Sequence, residues 1–381
     1  MEQAATDVSY MQRALLLAVK GTGRVSPNPM VGCVIVKGGQ VVGEGFHQRF
    51  GTPHAEIHAL HEASTHAGDA TLYVNLEPCC HTGKTPPCVD AVIAAGIKHV
   101  VVSMRDPNPL VSGAGLERLQ EAGIAVRAGV CEAEARLLNE AFIKHVVTKK
   151  PFVTLKCAIS LDGKIATKTG AARWITGSGA RNYVHQLRHA VDAIVVGIGT
   201  VLQDDPLLTT RLPDGQGINP LRLIVDSTLR LPLSVRVAAV SPECQTLVAT
   251  TERASEPHCR RLQKRGVEIV RLPSYDDGRV NIEALWHYLG ARGVASVLVE
   301  GGATLSASLI ARRLVDKVQF FIAPKIIGGD GLSVIGPCGV EDMQQAIQLH
   351  TMTGQRIDGD YLLQGYLAGT NRAQGVDEAE L

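Results

Sequence analysis

Long apolar runs are absent. No stretch approaches the roughly 18 consecutive apolar residues of a membrane-crossing helix, and residues 1–10 are acidic and polar where a secretory leader is basic and then apolar. A cytoplasmic protein with no membrane partner is therefore expected. An excess of one charge is absent too: 38 Lys and Arg balance 37 Asp and Glu, so no overall basic surface offers itself to a phosphate backbone. Aromatic residues, at 4%, are too few for the stacking platforms of single-stranded nucleic-acid binders. Both observations favour a small-molecule ligand over nucleic acid. The nine cysteines are odd in number and scattered over 381 residues, unlike the dense, even framework of a small secreted domain, so thiols and metal ligands are expected instead of disulfides.

The length exceeds the roughly 250–300 residues that one hydrophobic core supports, which makes two domains the natural expectation. Apolar positions at helical spacing from Ser9 to Lys20 end at Gly21 and Gly23. The β-branched run Val31–Val36, followed by Gly38-Gly39 and Gln40–Gly45, reads as a hairpin. A helix from His54, a strand over Thr71–Leu76, a Pro- and Cys-rich loop, a helix from Cys88 and a strand from His99 come next. Helices over Leu116–Ala122 and Cys131–Val147 flank a short strand near Ile124–Ala128. That order describes helices packed on a mixed sheet. The polar run Thr148-Lys149-Lys150-Pro151 marks a boundary, giving domains over 1–148 and 151–368. A second strand-helix alternation, of nucleotide-binding type, runs from Phe152 to Ile322. Residues 369–381 are small, polar and acidic, and are expected to be disordered.

In the first half, His54-Ala55-Glu56 opens one helix, and Pro78-Cys79 opens a loop that reaches Cys88 at the start of another. One imidazole and two thiolates give zinc three protein ligands and leave a fourth position for water, the composition of a catalytic site. Glu56, two residues beyond the histidine, is placed to move protons between that water, a ring nitrogen and a departing amine; H-x-E followed by P-C-x-x-C is the signature of zinc deaminases. There is one departure, since eight residues, Cys80–Pro87, separate the cysteines instead of two, and Gly83 with two prolines lets them bulge out. A closed structural zinc could take a fourth ligand from Cys80 or His81, a reading in which Glu56 has no role. Asn28, in Ser26-Pro27-Asn28-Pro29, either shapes a turn or offers its amide to a substrate.

The runs Pro27-Asn28-Pro29, Val31-Gly32, His54-Ala55-Glu56, Glu77-Pro78-Cys79 and Thr85-Pro86-Pro87-Cys88, long loop included, resemble the bifunctional deaminase-reductases of riboflavin biosynthesis. The resemblance implies zinc ligands His54, Cys79 and Cys88, Glu56 as proton shuttle and a substrate contact at Asn28, with Cys80 and His81 outside the coordination sphere. It also implies an α/β fold, a cytidine-deaminase-like zinc domain followed by a dihydrofolate-reductase-like domain.

The second half carries a weaker signal by itself. Val297–Ala303 runs from an apolar strand through Glu300-Gly301-Gly302 into a helix, a junction that either offers backbone N–H groups to a phosphate or is no more than a tight turn. No G-x-G-x-x-G is present. Lys156–Lys164 with its Ser160-Leu161-Asp162-Gly163 turn, Trp174-Ile175-Thr176 and the stretch from Gly199-Thr200 to Arg211 fall at or just after strand ends, where open α/β sheets collect ligands. These segments resemble the reductase half of the same family. The likeness implies NADPH contacts from Ala158, Trp174, Thr200, Asp204, Ser227, Gly302, Ala303, Thr304, Leu305, Ser306, Ala307 and Ser308. It implies substrate contacts from Ala172, Arg188, Leu208, Arg211 and Glu300, the arginines being suited to bidentate recognition of phosphate. Arg188 could otherwise be an ordinary helix-surface residue, and Asp204-Asp205 a turn cap.

The reaction expected is hydrolytic deamination of 2,5-diamino-6-(5-phosphoribosylamino)pyrimidin-4(3H)-one, then NADPH reduction of the ribosyl group of 5-amino-6-(5-phosphoribosylamino)uracil to ribityl. The expected partners are that phosphorylated pyrimidine and further copies of the chain in a homo-oligomer. A deaminase acting on nucleic acid is the enzymatic rival, opposed by the charge balance and the aromatic content. A structural zinc module fused to a nucleotide sensor is the non-catalytic one.

Overall fold

Met11, Ala14, Leu15 and Ala18 recur at helical spacing and are buried along one face of helix α1 (Glu2–Val19), the first element of a computed structural model that describes residues 2–82, 86–108 and 112–368. The expected disordered tail, 369–381, and Thr85 of the long loop lie outside the described residues. The chain divides into two units, Met1–Lys149 and Lys150–Leu381. No helix among the described residues is long and apolar enough to cross a membrane.

In the first unit α1 is followed by β1 (Gly32–Lys37), β2 (Gln40–Phe46), α2 (Ala55–Ala63), β3 (Thr71–Leu76), α3 (Cys88–Ala94), β4 (His99–Met104), α4 (Ala114–Glu121), β5 (Ala125–Ala128), α5 (Glu132–Leu138) and α6 (Glu140–Thr148). Among the described residues these strands form one sheet ordered β2-β1-β3-β4-β5, antiparallel across β2-β1-β3 and parallel from β3 to β5. Its central strands are buried on both faces, which is why β1, β3 and β4 are apolar almost without interruption. Gly43 and Gly45 let β2 pass close to α2: a Cβ at either would stand 2.3 Å from a carbonyl oxygen of that helix. This contact fixes the start of α2, where His54 and Glu56 sit. The single helix expected over 131–147 is broken at Asn139, whose side chain accepts the Met30 N–H at 2.8 Å and donates to the Met30 carbonyl at 3.1 Å. A long-range contact there overrides the helical pattern.

The second unit runs β6 (Phe152–Ser160), β7 (Lys164–Ala166), α7 (Ser178–Ala190), β8 (Ala193–Gly197), α8 (Ile198–Asp204), β9 (Leu221–Val225), β10 (Thr246–Thr250), α9 (Glu256–Gln263), β11 (Glu268–Arg271), α10 (Ile282–Ala291), β12 (Ser296–Val299), α11 (Ala303–Ala311), β13 (Lys317–Ala323), β14 (Leu332–Ser333), β15 (Leu349–Ile357) and β16 (Asp360–Leu367). Its large sheet has the order β11-β10-β9-β8-β12-β6-β13-β16-β15, parallel from β11 to β13 and antiparallel at β13-β16-β15. Alternate residues of β8 feed two cores. Val195 packs with Leu285, Trp286 and Leu309 of α10 and α11, and Ile194 and Val196 pack with Leu262 of α9. The carboxyl ends of the parallel strands are thus left to loops, the place where such sheets hold ligands.

Candidate active sites

His54 immediately precedes α2, Cys88 opens α3, and Cys79 follows β3 across Glu77-Pro78. The three donors converge. His54 Nδ1 lies 3.6 Å from Cys79 Sγ and 3.3 Å from Cys88 Sγ, and the three donor atoms fall within 4.8 Å of one another. Ordinary zinc bonds to nitrogen and sulfur at tetrahedral angles set such donors roughly 3.5 Å apart, so the trio fits zinc as it stands. Neither Cys80 nor His81 belongs to the cluster. The hydrogen bond with Cys88 lowers the Cys79 pKa to about 4, helped by His54, and the same bond raises Cys88. Zinc held there would keep both sulfurs as thiolates.

Glu56 is 3% exposed, and its Oε2 has no hydrogen-bond partner among the described residues. Burial raises its pKa, and the neighbouring Cys79 raises it further. It borders a pocket of about 280 Å³ with apolar walls from Val31, Leu76 and Phe142 and polar side chains from Asn28, His47, Asp106 and Asn108. His47 Nδ1 lies 3.2 Å from the Pro53 carbonyl, which leaves Nε2 to accept from the Asn28 amide at 3.3 Å. Burial lowers the His47 pKa, and its ring meets His54 edge-on. Sequence reasoning singles out Asn28 but misses His47, Asp106 and Asn108. Each of these stands just past the end of β2 or β4, and that strand-end position was the available signal.

A larger cleft, about 740 Å³, lies at the carboxyl ends of the parallel strands in the second unit. Of the expected cofactor contacts, Thr200, Asp204, Ser227, Gly302, Ala303, Thr304, Leu305 and Ser308 line it, and Ala172 joins them from the expected substrate set. Gly302 is the N-terminal cap of α11, so the cleft wall includes the start of that helix. Ser306 and Ala307 are buried, Ala158 lies within β6 opposite Phe321, and Trp174 is exposed between the guanidinium groups of Arg173 and Arg181; none of these four lines the cleft.

Arg188, Arg211 and Glu300 form a second cluster. Arg188 clamps Glu300 through Nε at 2.7 Å and Nη2 at 3.0 Å, and donates from Nη1 to the Thr209 carbonyl at 3.0 Å. Arg211 donates to Thr209 Oγ1 at 2.9 Å, and Leu208 beside it is buried with a φ of 54°. Lys156, within the singled-out segment Lys156–Lys164 but with no role assigned there, lies 3.6 Å from Glu300. Burial alone would raise the Glu300 pKa, but Arg188 and Lys156 together hold it at about 2. Burial, then Arg211 and Arg188, lower His185 to about 4, which keeps that ring neutral beside the cations.

Residues 4–104 match the cytidine and deoxycytidylate deaminase zinc-binding region, and residues 151–363 match the RibD C-terminal domain. The chain is 41% identical to the riboflavin biosynthesis protein RibD of Actinobacillus pleuropneumoniae, with 94% of each chain covered. Among solved structures it is similar to RibD of Acinetobacter baumannii, at 38% identity and a TM-score of 0.86, covering 96% of this chain and 99% of that one. It is also similar to a diaminohydroxyphosphoribosylaminopyrimidine deaminase/5-amino-6-(5-phosphoribosylamino)uracil reductase from Thermotoga maritima, at 39% identity and a TM-score of 0.82, with the same coverage. With its cytidine-deaminase-like first domain and its reductase second domain both matched in one continuous chain, the protein belongs to the RibD family of riboflavin biosynthesis proteins.

Proposed function

We propose that His54, Cys79 and Cys88 hold zinc and that Glu56 moves the protons of a hydrolytic pyrimidine deamination, the first activity of a bifunctional riboflavin-biosynthesis enzyme whose second domain reduces with NADPH. What carries the assignment is the convergence of one imidazole nitrogen and two sulfurs beside a buried carboxylate oxygen that has no hydrogen-bond partner among the described residues. The substrate assigned is a diaminohydroxyphosphoribosylaminopyrimidine, the compound for which the Thermotoga relative is named.

Its ring suits the space between Val31, Leu76 and Phe142, where Asn28, Asp106 and Asn108 offer hydrogen bonds to the polar edge. Bound zinc supplies Lewis acidity that ionises a water near neutral pH. Glu56 accepts protons from the attacking water and delivers them to the ring nitrogen and then to the departing amine. One C–N bond breaks, one C–O bond forms, and ammonia leaves. His47 holds the Asn28 amide in place throughout.

In the second domain, Thr200, Asp204, Ser227 and the start of α11 would hold NADPH, which supplies the hydride. Glu300 is assigned to the sugar undergoing reduction, as a carboxylate kept ionised by Arg188 and Lys156. Arg188 is engaged by Glu300 and Thr209 and acts through them, so the exposed Arg211 is assigned to the substrate phosphate. A homo-oligomer and a cytoplasmic location complete the proposal, checked by light scattering of the purified chain and by cell fractionation.

Mass-spectrometric turnover of the diaminopyrimidine tests both steps. Without NADPH the product should stop at the deaminated pyrimidine, and with NADPH it should proceed to the ribityl compound. Glu56→Ala should retain zinc and reductase activity while losing deamination; ammonia release that survives this change overturns the assignment.

A further inference from the structure

The loop that brings Asn28 to the deaminase pocket is held by two buried amides. Asn75 in β3 and Asn139 between α5 and α6 are 0% and 2% exposed, and both close on the main chain of Met30. Asn139 Oδ1 accepts the Met30 N–H at 2.8 Å, and the Met30 carbonyl accepts from Asn139 Nδ2 at 3.1 Å and from Asn75 Nδ2 at 2.9 Å. Asn75 Oδ1 accepts the Gly32 N–H at 2.8 Å. Every polar atom of the two side chains is thus engaged by residues 30–32. Pro29 stands between Met30 and Asn28, and its ring fixes φ, so an orientation imposed at Met30 reaches Asn28 across one stiff residue. Asn139 also starts another part of the pocket. Its carbonyl accepts the Ile143 N–H at 2.9 Å as α6 begins, and Phe142 and Val146, four residues apart on one face of that helix, line the pocket together with Asn28, Pro29 and Val31.

We propose that Asn139, partnered by Asn75, is a positioning residue of the deaminase: it ties the Asn28 loop to the start of α6 and so sets how tightly the pyrimidine ring is held. The proposal rests on the deaminase reading above. An amide offers an acceptor and a donor side by side, the complement of one residue's N–H and carbonyl, which a carboxylate cannot match because it has nothing to donate. The four bonds go to the loop, and none goes to a zinc ligand or to Glu56. The clamp therefore acts on binding of the ring, through Asn28, and not on the activation of water.

Steady-state deamination of the diaminopyrimidine by the zinc-loaded full chain tests the assignment in wild type, Asn139→Ala, Asn139→Asp, Asn28→Ala and the Asn28→Ala/Asn139→Ala double variant, with rates expressed per bound zinc. Asn139→Ala should raise KM about tenfold, with kcat per zinc within about threefold of wild type and the reductase rate unchanged. Asn139→Asp keeps the shape and the acceptor for the Met30 N–H but loses the donor, so its KM should fall between the two. In the Asn28→Ala background, Asn139→Ala should raise KM far less than it does alone. Partial unfolding by itself lowers zinc content and leaves KM where it was, so an unchanged KM in the zinc-bound fraction of either Asn139 variant overturns the proposal. A fall in kcat per zinc at constant KM overturns it as well, because the clamp would then serve the zinc and Glu56. Fully additive KM effects of Asn28→Ala and Asn139→Ala overturn the route through Asn28. Each of these results leaves the deaminase reading intact, whereas zinc-loaded wild type that releases no ammonia from the diaminopyrimidine overturns that reading and the proposal with it.

Discussion

Replacing Glu77 with glutamine changes almost no volume and isolates what holds one wall of the deaminase pocket in place. Glu77 is 4% exposed and accepts four backbone N–H groups: Asp106 and Gly113, each at 3.0 Å, on Oε2, and Gly115 at 2.9 Å with Leu116 at 3.4 Å on Oε1. A glutamine carbonyl can keep one of these pairs. Its NH2 group would face the other, leaving two backbone donors without an acceptor at about 1–3 kcal/mol each. The expected loss, about 2–6 kcal/mol, is a large share of a typical stability of about 5–15 kcal/mol. Little can shift to relieve it, because Gly115 already sits where a Cβ would be 2.3 Å from the Pro78 carbonyl oxygen. Asp106 and Asn108 line the pocket, so the variant should raise the deaminase KM with zinc content and reductase rate unchanged. Hydrogen exchange resolved at single amides, with denaturant unfolding alongside, measures the cause directly. If the amides of both pairs, Asp106 with Gly113 and Gly115 with Leu116, exchange as slowly as in wild type and the stability loss stays below about 0.5 kcal/mol, the reasoning fails.

Stripping zinc with a chelator should abolish deamination and spare reduction of the deaminated compound, assayed on one sample; parallel loss of both activities contradicts the assignment of the metal to the first domain alone. Glu300 should add an acid-sensitive term to the stability of the second unit. Its folded pKa, about 2, lies below the ordinary 4.5, so the stabilisation is complete above that ordinary value and drains away as pH falls toward 2. The amount is on the order of 3 kcal/mol, so wild type should lose stability more steeply than Glu300→Gln across that window, and parallel acid-unfolding slopes would refute the argument. Gly45→Ala should push α2 off β2, destabilising the first unit by about 1–3 kcal/mol and lowering deaminase kcat; calorimetry showing an unchanged melting temperature counts against that close approach.

Residue pattern and structure agree where burial alone decides the outcome. Thr71–Leu76 occupies the span that its largely apolar run predicts, because a strand buried along nearly its whole length is marked by apolar residues from end to end. The hairpin of β15 and β16 escapes such reading. Exposure along nearly all of β15 removes the alternation that marks a half-buried strand, and its ladder to β16 is the main thing that holds it. The active sites divide in the same way. A metal that needs sulfur and imidazole restricts which residues can serve, so His54, Cys79 and Cys88 stand out from thirteen histidines and nine cysteines once their spacing is seen. Glu77, His47 and Lys156 belong to common residue types whose meaning lies entirely in a distant partner: four N–H groups on the loop after β4 and the first turn of α4, the Asn28 amide, the Glu300 carboxylate. Chemistry that demands a rare side chain is therefore readable in one dimension. Chemistry that uses an ordinary side chain as a brace is not, because nothing in the residue itself distinguishes a brace from a solvated surface group until the chain has folded around it.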